Sequence, residues 1–363
     1  MNLIEVAEQF ALERGYVIGF CDASPLDKQR LQSAAFVPFV RNDLEKRTNP
    51  ASVMPDVKSI IVLGIGHGET SQIAASVAKF EAKRNTGANL APVGDTSAIN
   101  EQKYLTHDSN IERSRSCNTI RFPQKLGEAH ENVTELESVF VRSNGVTRMS
   151  TAELSSLGRN ADYHPIVKDA LSNLAIAISS QIACNTKILV DSPLLDERAL
   201  AHRANLGFFG RNGLIISPVF GTMFNIGILL TDIPLPQAHT QTKLKGCPPK
   251  CKTCIEACPT GALADCQPLN SSRCLSYLTQ KRNLTVEDEA ILANGGQLYG
   301  CDICQISCPY NMPRTRNYVN LQEWVSKTDE DFMHDYGHTA MFWQGTDILR
   351  RNAQLLLQPK ETR

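Results

Sequence analysis

Leu3, Val6, Ala7, Phe10 and Ala11 recur at helical spacing with acids between them, and predict an amphipathic helix from Met1 to Gly15. Val17 to Cys21 and Val57 to Gly66 read as strands. The second carries the uninterrupted run Ile60, Ile61, Val62, Leu63, the pattern of a strand buried on both faces, and it implies a parallel sheet. A helix is expected over Gln72 to Lys83. From about Arg84 to Asn160 the chain turns polar, with short apolar islands such as Val139 to Val141, and reads as an insertion with long loops. Regular pattern resumes at Tyr163. Pro165 fits a first helical turn, and Ile166, Ala170, Leu174, Ala177 and Ile178 make one helical face. A strand over Lys187 to Asp191 follows, then a short helix over Glu197 to Asn205 stopped by Gly207, then strands over Leu214 to Ser217 and Met223 to Leu230. This alternation predicts an α/β domain whose strand ends carry a site. Pro234, Pro236 and the polar residues to Lys245 form a linker. The expected organisation is an α/β domain over 1–240 with the insertion at 84–160, a cysteine-rich module over 241–315, and a helical tail over 316–363.

Composition adds limits. A chain of 363 residues with 42% hydrophobic residues can bury the cores of two domains. A formal charge of −1 excludes a protein that is basic overall, so contact with nucleic acid would need a local patch. Lys243, Lys245, Lys250 and Lys252 near the first cysteines, with Lys281, Arg282, Arg314 and Arg316 near the later ones, could supply such a patch if they share a face; solvated surface is the plainer reading. The start of the chain lacks the basic and apolar runs of an export signal, and no apolar stretch reaches about 18 residues, so a cytoplasmic protein that makes no use of a membrane is expected.

Nine of the 12 cysteines fall between Cys247 and Cys308, which points to metal or redox chemistry and away from a disulfide framework. Cys21, Cys117 and Cys184 are scattered and read as ordinary thiols. The cluster contains one internal repeat: Cys247, Cys251, Cys254 and Cys258-Pro259, then Cys274, Cys301, Cys304 and Cys308-Pro309. The bacterial ferredoxin run C-x2-C-x2-C-x3-C-P places three thiolates on one [4Fe-4S] cluster and sends the fourth to the other. Here the first gap of the first copy is three residues, and that of the second is twenty-six, while the spacings next to each proline are intact. The cross-over rule assigns Cys247, Cys251, Cys254 and Cys308 to one cluster, and Cys258, Cys274, Cys301 and Cys304 to the other. Zinc knuckles also use C-x2-C pairs but do not call for a proline after the last cysteine of both copies. Cys266 is left over.

The runs RTNPASVMPDVKSIIV (47–62), ADYHPIVKDAL (161–171), LVDSPLLDERALAHRANLGFFGRNGLIISP (189–218), GILLTDIPL (227–235), CKTCIEACPTGAL (251–263), RCLSYLT (273–279) and YGCDICQISCPYN (299–311) resemble the epoxyqueuosine reductases. These are cobalamin-dependent iron-sulfur enzymes that perform the last step of queuosine synthesis on tRNA. The resemblance implies a reductive-dehalogenase-like cobalamin-binding α/β domain, a ferredoxin-like double [4Fe-4S] module, a tRNA substrate, and an external electron donor such as flavodoxin or ferredoxin. The polar segment between about 68 and 160 is longer than the family usually has, the first cysteine gap is one residue longer, and the helical-repeat extension of some members is not evident.

Reducing an epoxide to an alkene needs two electrons and a proton for a developing alkoxide, hence a general acid. Asp191 ends the strand ILVD among Ile188, Leu189, Val190, Leu194 and Leu195, a setting expected to favour the protonated carboxyl, and it matches the family's proposed proton donor. The alternative is that Asp191 or Ser192 only caps the next helix. Arg198 sits where the family also holds Arg, and could orient the acid or bind a substrate or corrinoid oxygen; an ion pair among Asp196, Glu197 and Arg198 is the plainer reading. By the same resemblance Tyr163 and His164 are candidate pocket residues and Arg47 a candidate corrinoid contact. Gly207, Gly210 and Gly213 follow a helix, which argues against a dinucleotide site and for close backbone approach or tight turns. Two other functions fit the cysteines: a corrinoid iron-sulfur reductase of a small molecule, resembling the reductive dehalogenases, and an electron-transfer protein that does no chemistry.

Overall fold

The structure is a computed structural model and describes residues 2–28, 43–67, 140–143, 146–236, 244, 246–264, 269–312, 314 and 316–358. The expected helix over Gln72 to Lys83, most of the expected insertion, Cys117, Lys243, Lys245 and Cys266 lie outside the described residues.

Helix α1 (Leu3–Arg14) begins with a reciprocal cap between Asn2 and Glu5 and ends at Gly15, whose φ of 67° needs no side chain. It leads into β1 (Val17–Asp22); the short α2 (Leu44–Thr48) and β2 (Ser59–Gly66) follow. After β3 (Phe140–Ser143), β4 (Val146–Met149), β5 (Thr151–Leu154) and α3 (Ser156–Arg159), the long α4 (Tyr163–Ser179) precedes β6 (Thr186–Val190). Helix α5 (Glu197–Arg203), the small hairpin β7 (Phe208–Phe209) and β8 (Ile215–Ile216), and β9 (Phe224–Thr231) complete the first unit.

The main sheet has the order β1-β2-β9-β6, and every neighbouring pair is antiparallel, with Val17 opposite Gly64, Ile60 opposite Leu230 and Leu189 opposite Ile228. The parallel sheet expected from the run at Ile60 is therefore corrected. That run reports burial of both faces and says nothing of strand direction. Ile61 and Leu63 face a core with Phe10, Leu171 and Leu174, while Ile60 and Val62 face a second core with Leu195 and Leu200. Each such side chain removed from water contributes about 2 kcal/mol. On α4 the buried face is Val167, Ala170, Leu171, Leu174 and Ile178, while Ile166 is 47% exposed, so the face is rotated from the expected one. Gly227 allows this packing: a Cβ there would lie 2.6 Å from Val167 Cγ1. Helix α5 stops before the expected Gly207, at Asn205 in the left-handed region with φ 61°.

The cysteine-rich segment carries α6 (Thr253–Glu256), α7 (Leu275–Leu278), α8 (Val286–Gly295), β10 (Gln297–Tyr299) and α9 (Ile303–Ile306); β11 (Tyr318–Asn320), α10 (Leu321–Ser326), α11 (Asp329–Tyr336) and α12 (Thr346–Leu357) follow. Strand β5 pairs in parallel with β10 and antiparallel with β11. One core joins Leu154 to Leu298 and Tyr299, and both to Trp324, Phe332 and Leu349. The end of the expected insertion and the expected tail thus close over the cysteine segment as one packed unit. Asn352, fully buried, donates from Nδ2 to the carbonyls of Thr279 (2.8 Å) and Leu298 (2.9 Å).

Several contacts tie this unit to the first one, among them the following two. Asn311 accepts from the Thr222 amide (2.7 Å) and donates to the Thr222 hydroxyl (2.8 Å), and the neighbouring Gly221 has φ 59° and no room for a side chain beside the Tyr310 carbonyl. The Asp162 amide donates to the His338 carbonyl at 2.7 Å, which fixes the start of α4.

Candidate functional site

Strands β2 and β6 run the same way, since both oppose β9. Asp191 follows the last residue of β6 at that end of the sheet, and its φ of 46° lies in the left-handed region, a conformation costing a non-glycine residue about 1 kcal/mol or more. The twist turns the carboxyl away from the core: Leu189 and Leu195 are buried, but the Asp191 side chain is 67% exposed. The apolar enclosure expected around Asp191 is absent. Its neighbours are instead the first residues of α4. His164 Nε2 lies 3.5 Å from Asp191 Oδ2, at the outer limit of a hydrogen bond, and His164 Nδ1 lies 2.7 Å from Asp162 Oδ1. The Tyr163 ring stacks on His164 at 4.1 Å, and burial, with the charge and hydrogen bond of Asp191, pushes the phenol well above its usual range.

A second acid behind this turn, Glu197, is half-buried. Its Oε1 accepts the Ser192 amide at 2.9 Å, and burial pushes its carboxyl up to about 8 against the pull of that amide. The cap of α5 is Asp196, which accepts from the Ala199 amide (3.2 Å); neither Asp191 nor Ser192 does this. Asp196 also donates its amide to the Arg47 carbonyl (3.1 Å), which brings α2 to the turn. Arg198 Nη1 donates to the Gly213 carbonyl (3.1 Å), which steadies the glycine-rich loop. In that loop Gly207 closes on the Ile216 carbonyl, Gly210 on Ile216 and Asn212, and Gly213 makes a left-handed turn with φ 76° and open space beyond its Cα.

Cys247, Cys251, Cys254 and Cys308 line one cavity, with Arg211, Asn212 and Tyr310. They are the set grouped by the cross-over rule. The other four thiols adjoin. Burial, with the charges of Cys301, Cys274 and Cys258, drives the Cys304 thiol far up; burial first, then Cys274 among its charged neighbours, pushes Cys301 to about 12; burial carries Cys308 to about 11. Such groups stay protonated until a cation claims them. A cluster, with iron at each corner, takes thiolates spread around a body larger than a single ion. The Asn212 Nδ2 donor, buried in the cavity wall without a protein partner, suits a sulfide acceptor. Hydroxyls stand beside two sulfurs, Thr253 at 3.7 Å from Cys251 and Thr260 at 3.6 Å from Cys258.

Three cations of the expected basic patch are engaged within the fold. Arg316 is bidentate on Glu153, whose side chain is 3% exposed; Arg314 donates to the His67 carbonyl; Lys281 pairs with Asp288. These cations support the fold. Sequence reasoning also missed Glu197 and Asp162, whose signal is their position six residues after and, in the run ADYH, two before a proposed site residue.

Residues 247–311 match the 4Fe-4S double cluster binding domain, so this segment holds two [4Fe-4S] clusters. The chain is 36% identical to the epoxyqueuosine reductase of Staphylococcus aureus, over 94% of this chain and 75% of the relative. It is 26% identical to that of Bacillus subtilis, over 98% and 78%. Among solved structures, the epoxyqueuosine reductase of Streptococcus thermophilus superposes with a TM-score of 0.68 at 25% identity, covering 98% of this chain and 81% of that one. An epoxyqueuosine reductase solved with a modified tRNA-Tyr stem loop shares the fold, with a TM-score of 0.66 at 24% identity over 98% and 80%. No described helix is long and apolar enough to cross a membrane. With the cysteines gathered as a double cluster requires, the chain belongs to the epoxyqueuosine reductase family and is an oxidoreductase.

Proposed function

We propose that this protein reduces epoxyqueuosine to queuosine in tRNA, in the cytoplasm, using cobalamin and an external electron donor such as flavodoxin or ferredoxin. The reading combines the double-cluster segment with a carboxyl offered at the end of the sheet, beside a phenol and an imidazole. The carrying observation is that placement of Asp191. Residues 1–240 would make up the cobalamin and substrate domain, reductive-dehalogenase-like, and 241–315 the ferredoxin-like module. The packing of β5 against β10 and β11 argues for extending that module to include 151–160 and the C-terminal helices.

The chemistry is balanced as follows. The epoxide oxygen leaves as water, its two C–O bonds break, a C=C bond forms, and two electrons and two protons are consumed. When bound, the clusters and the corrinoid supply the electrons at the potential needed. Asp191 delivers a proton to the departing oxygen, and His164, held by Asp162, stands where it can return one to Asp191. Tyr163 packs against His164 and bonds the same carboxyl, which narrows its orientations. The exposed Asp191 side chain and the open space at Gly213, whose carbonyl accepts from Arg198, leave room at this end for a bulky planar group. Arg198 and the segment at Arg47 would flank that group. Cys247, Cys251, Cys254 and Cys308 would hold one cluster, and Cys258, Cys274, Cys301 and Cys304 the other.

Nucleoside analysis of tRNA from a strain lacking this gene tests the reading. Epoxyqueuosine should accumulate in place of queuosine, and the gene restored on a plasmid should reverse it. Queuosine at wild-type level in the deleted strain, with no other such reductase encoded, contradicts the reading.

A further inference from the structure

Glu197 has no role in the scheme above, yet its half-buried side chain packs directly behind the Asp191 turn. It opens α5, but its side chain turns back along the loop and accepts the Ser192 amide at 2.9 Å. Ser192 directly follows Asp191. The far end of the same loop has separate anchors: Asp196 caps the helix through the Ala199 amide and donates its own amide to Arg47. At the near end, where the backbone passes through the left-handed conformation at Asp191, Glu197 holds the main chain while Tyr163 and His164 meet the Asp191 carboxyl.

We propose that Glu197 is a positioning residue: by accepting the Ser192 amide it holds the strained Asp191 turn in the orientation that presents the Asp191 carboxyl to Tyr163 and His164. The inference rests on the reading of Asp191 as proton donor and deepens it. A single hydrogen bond of this kind suffices to matter because the left-handed conformation of Asp191 costs about as much as one bond contributes. Without the acceptor, the turn relaxes to ordinary backbone and the carboxyl moves off the reacting atoms. The charged groups around Glu197 are Asp191 and Asp196 on the loop and Arg198 on its own helix, with the Tyr163 phenol on α4 near enough to sense its charge. Burial, with two acids among its charged neighbours adding to it, makes a neutral acceptor suit this place better than an ionised one.

That distinction sets the test. Glu197→Gln keeps the reach and the carbonyl acceptor but cannot ionise; Glu197→Asp keeps the carboxyl and is also acceptable in a first helical turn, but is one methylene too short to reach Ser192. Both are loaded with iron and cobalamin, reduced, and assayed on an epoxyqueuosine stem loop beside Asp191→Asn and the double variant Asp191→Asn/Glu197→Asp. E197D should lose kcat by about tenfold or more, with KM for the stem loop within about twofold of the parent, and E197Q should recover kcat to within about threefold. The double variant should turn over no more slowly than D191N alone, because Glu197 acts through Asp191. Wild-type kcat in E197D with D191N inactive overturns the proposal and leaves the Asp191 reading standing. So does the reverse order, E197Q slow and E197D fast, which would make Glu197 an acid in its own right. Wild-type kcat in D191N overturns both.

Discussion

Asp191→Asn should lower kcat for epoxyqueuosine reduction by about two to four orders of magnitude, the usual contribution of a positioned general acid. Asparagine keeps the size of the side chain and tolerates the left-handed backbone that Asp191 adopts, with φ 46°, so the turn has no reason to collapse. The effect should fall on kcat and leave KM for the stem loop nearly unchanged, because a proton is transferred only in the reaction. Iron content and cobalamin binding of D191N should match the parent. Equal loss of kcat and of bound cobalamin would mean that Asp191 serves the cofactor pocket and not proton delivery.

The second large effect concerns the cysteines. Removing one ligand from a cluster should abolish steady-state turnover, and the iron count of paired variants separates the two sets. Cys304→Ala should retain about four of about eight irons. Adding Cys301→Ala should change little, since both thiols serve the same cluster, whereas adding Cys308→Ala should remove most of the remaining iron, although Cys308 lies only four positions along the chain. The cavity shared by Cys308 with Cys247, Cys251 and Cys254 is the reason. If the Cys304/Cys308 pair instead kept as much iron as C304A alone, both thiols would belong to one cluster and the cross-over would be wrong.

The parts of the site fixed by spacing could be read from the chain alone. Thiols that share a cluster must recur at short set intervals, and the prolines after Cys258 and Cys308 mark both copies even with a gap of twenty-six residues in the second. The surroundings of Asp191 could not be read this way. Its apolar sequence neighbours suggested burial, but a single left-handed residue at the end of β6 turns the carboxyl outward while Leu189 and Leu195 turn in. Glu197 was hidden for the opposite reason. An acid at the start of a helix has an ordinary explanation in the helix dipole, and only the bond to Ser192 shows that it serves the turn.

The fold divides along the same line. Alternation and apolar runs located β1, β2, β6 and β9 to within a few residues, because burial of one or both faces is written locally. Strand direction is not: Ile60 to Leu63 read the same in a parallel sheet and in this antiparallel one, where helices cover both faces. Strand β5 was lost within the polar segment because it has four residues and its partners, β10 and β11, lie far along the chain. The helices after residue 316 looked like a tail for the same reason, since their core partners are Leu154, Leu298 and Tyr299. Cations near the cysteines suggested an RNA surface, but the buried Glu153 and the carbonyl of His67 claim two of them.

The most direct test is a single turnover under anaerobic conditions. Purified protein carrying about eight irons and bound cobalamin is reduced and mixed with a stem loop containing epoxyqueuosine, and the digested nucleosides are weighed by mass spectrometry. The account predicts queuosine, one oxygen atom lighter than the starting nucleoside, formed by the loaded protein and not by the C304A variant. Epoxyqueuosine left intact by fully loaded, reduced protein, or converted equally well by C304A, would contradict it.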